Sequence, residues 1–271
     1  MHLDLHLHST CSDGSLAPAA LVQAARRAGL HAIALTDHDT TAGISPARRA
    51  AGADGGPIVI AGVELTSSLD GAEVHLLGYG VDPDHASLAA FTDRAARTRS
   101  ERMAAIVSRL QALGVGITSE DVTVEEGCAS VGRPHIARAL VRVGAVPNFQ
   151  EAFNRYIRDG APAFVPSHGP DVREAIAAVR EAGGCSVWAH PRLEDAKAFA
   201  RLAEAGLGGV EALRPSMDPA VSIALELEAR VHSLIVTGGS DWHGGARPAL
   251  GSWYVTEKHV GAFLDRIGIS A

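Results

Sequence analysis

Along the first residues apolar Leu3, Leu5 and Leu7 alternate with polar Asp4, His6 and His8. A period of two predicts a strand and puts both imidazoles on one face. Between residues 15 and 29 the period changes. Leu21, Val22, Ala25 and Ala28 recur at helical spacing, with Pro18 near the start and Gly29 as the stop. An apolar strand over 32–35, a helix over 42–51 and a strand over 58–65 continue the order, which is the mark of a parallel sheet covered by helices. A fourth strand over 72–79 follows a turn at 68–71 and is expected to run antiparallel to the third.

From 83 to 164 the strand pattern stops. Met103, Ile106, Val107, Leu110 and Leu113 keep helical spacing, as do Ile136, Ala139, Leu140 and Val143, so this stretch reads as a helical insertion. Alternation then resumes, with helices over 172–182, 194–205, 219–229 and 259–267 among strands over 186–189, 210–213, 234–237 and 252–256. The expected fold class is α/β. Its architecture is a distorted (β/α)7 barrel built from 1–82 and 165–271, with 83–164 as a helical insertion forming a substrate lid.

Chemistry-bearing side chains gather where the apolar runs end. His6 and His8 close the first strand, and Asp13 follows in a Ser/Asp/Gly turn that can swing a carboxylate back toward them. Asp37 and His38 follow the second strand, Glu64 the third and His190 a later one, with Asp241 and His243 after the run at 234–237; His75 lies in the fourth. Taken alone, His6-x-His8 is equally a chance pair on a half-exposed strand. Recurrence at successive strand ends points instead to a metal site at one mouth of a barrel.

The segments HLHS, TDHD, AHP and SDWH, with a Glu in GVE between the second and third, resemble the PHP (polymerase and histidinol phosphatase) phosphoesterases over nearly the whole chain. The resemblance implies the barrel fold and a ligand distribution: His6, His8, Glu64 and Asp241 on one ion, Asp13, His38 and His243 on a second, Glu64, His75 and His190 on a third. Nine donors exceed what one ion can use, and mixed imidazole and carboxylate suit two or three divalent ions of Mn, Zn or Fe. Such a cluster generates hydroxide near neutral pH and clamps phosphoryl oxygens, so Glu64, His243 and Asp37 are the catalytic candidates. Asp37 is either an outer carboxylate orienting a ligand or a general acid.

Val131-Gly132-Arg133-Pro134-His135 is similar to the S-R-P-H segment of PHP nucleotidases, with Gly132 in place of the Ser, and implies that Arg133 and His135 grip a substrate phosphate. A plain proline at a helix start is the competing reading. Ser9 and Arg214 complete the substrate-binding candidates. Arg214 either reads a second phosphate or changes the substrate, and His168 borders the pocket or the surface.

Charge changes the picture in one respect. The chain carries −7 overall, yet residues 94–158 hold ten Arg against six Asp and Glu, which leaves the remainder at −11. A basic lid over an acidic, metal-filled mouth suits a phosphate ester, although most of these Arg read as solvated helix faces. The acidic total argues against duplex DNA as a partner. No apolar run reaches the roughly 20 residues of a membrane span. Cys11, Cys128 and Cys185 are isolated and odd in number, with no disulfide framework, so a cytoplasmic protein is expected, with no obligate protein partner. The expected activity is phosphoester hydrolysis on a nucleoside 3′,5′-bisphosphate, extending to short 5′-phosphorylated RNA. Histidinol phosphate hydrolysis is the alternative, amidohydrolase chemistry a more distant one.

Overall fold

The computed structural model describes residues 1–269 apart from 53–54, 123, 125–127, 129, 216 and 246–247. Strand β1 (His2–Leu7), helix α1 (Pro18–Arg27), β2 (Ala32–Leu35), α2 (Ile44–Gly52), β3 (Ile58–Leu69) and β4 (Ala72–Tyr79) open the barrel. Helices α3 (Ala86–Ala112), α4 (Arg133–Arg142) and α5 (Phe149–Ala152) follow, the last running on as a π turn at Phe153–Ile157. The chain then returns through α6 (Val172–Glu181), β5 (Cys185–Trp188), α7 (Phe199–Glu204), β6 (Gly209–Leu213), α8 (Pro219–Val231), β7 (Ile235–Gly238), β8 (Val255–Thr256) and α9 (Glu257–Arg266).

The strands form one sheet in the order β7-β6-β5-β4-β3-β2-β1-β8. Its ends nearly meet. Trp242, just past β7, bridges Leu7 in parallel, and its carbonyl accepts the His8 N–H at 3.1 Å, so the sheet curls into a distorted barrel. β4 runs antiparallel to both neighbours, as the short connection from β3 required. This direction matters for the site. His75 lies in the first half of β4 but pairs with Thr66, beyond Glu64 on β3, and so reaches the same mouth as residues at the ends of the parallel strands.

β3 outruns its expected end at 65. Thr66, Ser67 and Ser68 look like turn residues, but Asp39 Oδ1 accepts the Thr66 N–H at 2.7 Å and the Pro170 carbonyl accepts that of Ser68 at 2.8 Å. The turn moves to Asp70 and Gly71, both at positive φ, which is the geometry of a two-residue hairpin. β8 is shorter than 252–256, because Ser252 N–H and Oγ both donate to the Ala249 carbonyl and keep the chain in a turn. The single helix expected over 194–205 divides into a 3₁₀ segment, Leu193–Ala198, and α7.

Apolar faces explain the rest. Leu88, Phe91 and Ala95 on the first half of α3 join the barrel core with Val63, Val172 and Val179. Its second half instead packs Ile106, Val107 and Leu110 against Ile136, Leu140 and Ile157, a separate core under the helical stretch. Thus α3 is a rigid arm joining the two cores, and Arg99 and Arg102 fall where it crosses the barrel mouth. No helix among the described residues is long and apolar enough to cross a membrane.

Candidate metal centre and phosphate pocket

Glu64 is the centre of the mouth. Its side chain is almost wholly buried, and its two oxygens face five imidazoles. Oε2 lies 3.2 Å from His6 Nε2, 3.3 Å from His8 Nε2 and 3.1 Å from His38 Nδ1. Oε1 lies 3.0 Å from His75 Nδ1 and 3.2 Å from His190 Nε2. Asp241 Oδ1 approaches His6 and His8 at 3.4 and 3.3 Å, and Asp13 Oδ1 approaches His243 Nε2 at 3.3 Å. The structure therefore brings all nine candidate ligands together.

Among the described residues three groups of donor atoms lie close enough to share an ion: His6, His8, Glu64 and Asp241; His8, Asp13, His38 and His243; and His38, Glu64 and His75. His190 touches both His75, at 3.2 Å, and Glu64. Several of these atoms are buried without a hydrogen-bond partner, namely His6 Nε2, both His8 nitrogens, His38 Nδ1 and Glu64 Oε2. Buried polar atoms are ordinarily satisfied. A divalent cation fits what this cluster of lone pairs lacks, and the donor set suits one.

The electrostatics agree. Burial opposes charge on Glu64, yet His38, His6 and His75 hold its carboxyl well below the usual range. Burial also opposes a charged His8, but the carboxylates of Asp241 and Glu64 outweigh it and lift the ring to about 10. Burial, with Arg99 nearby, pushes His38 well below the ordinary imidazole value. The site is a bed of anionic oxygens that holds protons when no cation is supplied.

Neighbouring groups fix these side chains. Asp37 accepts from Ser9 N–H at 2.7 Å, Ser9 Oγ at 2.6 Å and Ser12 Oγ at 2.7 Å, and so clamps the turn that presents Asp13. Arg138 donates to the Asp13 carbonyl at 2.7 Å. Glu211 is fully buried, with Oε1 2.9 Å from His6 Nδ1 and Oε2 accepting the His190 N–H at 2.9 Å. His190, Asp241 and Asp39 all have positive φ, a local strain held by their surroundings.

A cavity of about 370 Å³ opens beside the cluster. Asp13, His38, His75, Asp241 and His243 line one side, and Arg99, Arg102 and Arg133 the other, with Met103, Ile106, Phe153 and Pro134 between. Arg99 bonds Asp39 Oδ2 at 2.6 Å, while Arg102 and Arg133 lie over the Phe164 ring at 5.7 and 5.6 Å. A Cβ at Gly132 would stand 3.2 Å from Arg99 Nη1, so the glycine makes room for that guanidinium.

Not every expected contact forms. Ser9 is fully buried with its hydroxyl on Asp37, because the chain turns at once after β1; it does not line the cavity. His135 points back to cap its own helix, accepting the Gly132 N–H at 3.1 Å. Arg214 donates to the Pro191 carbonyl at 3.3 Å and lines no cavity beside the cluster, and His168 is exposed away from it. Sequence reasoning missed Glu211, Arg99 and Arg102. Their signals were a lone carboxylate inside the apolar run at 210–213, and arginines spaced four residues from Ala95, Met103 or Ile106 along α3.

Residues 4–117 match the PHP domain family model. The chain is 32% identical over 247 residues to the Escherichia coli 5′-3′ exoribonuclease Rnm, covering 89% of this chain and 84% of the relative. It is 32% identical to a 3′,5′-nucleoside bisphosphate phosphatase of Chromobacterium violaceum, covering 89% and 87%. The chain belongs to the PHP family. A further relative, the phosphoribosyl 1,2-cyclic phosphate 1,2-diphosphodiesterase of Eggerthella lenta, is 33% identical over 92% of this chain and 97% of its own. A metal-dependent phosphoesterase structure from Bifidobacterium adolescentis superposes with a TM-score of 0.87 at 34% identity, covering 97% and 96%. This PHP protein is accordingly a metal-dependent phosphoesterase, a hydrolase acting on ester bonds, and the histidinol phosphatase alternative is not favoured.

Proposed function

We propose that the chain hydrolyses the 3′-phosphoester of a nucleoside 3′,5′-bisphosphate to give the nucleoside 5′-monophosphate and phosphate, and acts likewise on short 5′-phosphorylated RNA. One observation carries this reading: three guanidiniums and an apolar wall share a cavity with the carboxylate and imidazole cluster. Arg99, Arg102 and Arg133 bind the phosphate that is kept, since guanidinium grips phosphoryl oxygens bidentately. Met103, Ile106, Phe153 and Pro134 receive the nucleoside and exclude water from it.

Two or three Mn, Zn or Fe ions would be held by His6, His8, Glu64 and Asp241, by Asp13, His38 and His243, and by Glu64, His75 and His190. When bound they would supply an acidified water and positive charge toward a phosphoryl group. Glu64 keeps five imidazoles in one register. Asp37 acts through the Ser9–Ser12 turn, holding Asp13, rather than on the substrate. In the reaction a water oxygen joins phosphorus, the P–O3′ bond breaks, and the 3′ oxygen takes a proton. Residues 83–164 cover the mouth as the lid that carries the arginines. The reading suits a cytoplasmic enzyme of small nucleotides and RNA ends, needing neither duplex DNA, a membrane nor a partner protein.

The test is phosphate and mononucleotide release by the Mn-loaded protein from adenosine 3′,5′-bisphosphate and a 5′-phosphorylated RNA pentamer. Release is expected to vanish in Asp13→Ala, and kcat/KM to fall about 100-fold in Arg133→Ala, about 3 kcal/mol for a lost charged contact. Turnover of histidinol phosphate or a cyclic ribose phosphate, with neither nucleotide touched, overturns the substrate assignment.

A further inference from the structure

Beyond the partition formed by Glu73, Arg102 and Arg133 lies a second cavity of about 720 Å³, which shares those residues and His75 with the first. It is lined by Val74 and Trp188, by the Asp70–Gly71 hairpin tip and by Asp195, Lys197 and Ala198 of the 3₁₀ segment Leu193–Ala198. His190, on the far side of Glu64 from Asp13, also lines it. From His75 to Ala72 the trough runs about 10 Å along β4, at about 3.3 Å per residue.

We infer that this trough carries the downstream nucleotides of a short RNA strand, an inference that rests on the activity proposed above. The reason is geometric and chemical. Releasing a 5′-mononucleotide from the 5′ end of RNA breaks the same P–O3′ bond as in a 3′,5′-bisphosphate. Water adds to phosphorus, the 3′ oxygen leaves and takes a proton, and the phosphate stays on the next nucleotide as its new 5′ group. The two substrates differ only in what hangs from the phosphorus. With the first nucleotide in the arginine-lined cavity and the scissile phosphate at the cluster, the rest of the strand leaves past His75 and His190, where the trough begins.

Four basic side chains line the trough, Arg102, Arg133, Arg192 and Lys197. Arg102 and Arg133 are shared with the first cavity, where they hold the retained phosphate, and Arg192 pairs with Asp195 at 3.1 Å. Lys197, exposed at the far end, makes no ion pair among the described residues, its charge reaching Asp70, which pairs with Arg201, and it is the group available to a downstream phosphate.

The experiment compares Lys197→Glu with the parent enzyme, both Mn-loaded, on adenosine 3′,5′-bisphosphate and on the 5′-phosphorylated RNA pentamer. Reversing one phosphate contact is expected to lower kcat/KM for the pentamer about tenfold, mostly in KM, and to steepen with falling salt. The value for the bisphosphate stays within twofold. Equal changes on both substrates, or no change on either, overturn the trough. A parent enzyme that hydrolyses the bisphosphate but not the pentamer overturns the trough and leaves the nucleotidase reading standing. A parent that hydrolyses neither overturns both.

Discussion

Glu211 holds two candidate ligands with one carboxylate. Its bond to His6 Nδ1 keeps that ring's proton away from the cluster and aims Nε2 at Glu64 and Asp241, while its other oxygen holds the left-handed backbone of His190. An amide cannot accept at both atoms. Glu211→Gln is therefore expected to weaken Mn binding about 10- to 100-fold. Calorimetric titration of the metal-free variant checks this, and a histidine ¹⁵N spectrum in which His6 keeps its Nδ1–H would contradict it. At this scale the clustering of the candidate ligands was legible because imidazole and carboxylate recur at strand ends, whereas orientation was not. Ser9 follows the alternation that exposes His6 and His8, yet a tertiary bond to Asp37 turns it inward. Arg99 looked like one of many solvated arginines until the packing of α3 on the barrel buried it.

Among the elements, α4 shows how a helix start couples to titration. His135 is nearly buried and accepts the Gly132 N–H through Nδ1, which only the neutral ring can do. Burial first, and Arg138 second, lower its pKa below the usual imidazole value. The sign follows: below about pH 6.5 the unfolded chain takes a proton that the folded one refuses, so this contribution is complete above that pH and is lost as pH falls. Relative to His135→Ala, the wild-type protein is expected to be about 1 kcal/mol more stable at pH 7.5, a margin that narrows by pH 5. Denaturant midpoints measured at both values decide it, a constant margin being the contrary result. Helix and strand periods predicted β2 and β4 to the residue. They misplaced the ends of β3 and β8, where Asp39, Pro170 and the Ala249 carbonyl, all distant or turn-bound partners, determine how far the strand runs.

For the whole molecule, a barrel supplies the cluster and a helical arm supplies the arginines. The first cavity is lined from both, which is why period and composition pointed to strands and helices but not to the trough between the β3–β4 hairpin and the 3₁₀ segment. The metal-free cluster holds protons, His8 up to about 10, so ion binding must displace them. Affinity is thus expected to rise with pH between 6 and 8, with protons released on binding. The most direct measurement titrates Mn into the metal-free protein while following phosphate release from adenosine 3′,5′-bisphosphate. Activity that is absent at first and grows in step with bound Mn is the predicted result. Undiminished hydrolysis by protein stripped of metal, or full Mn occupancy with no release of phosphate, would contradict it.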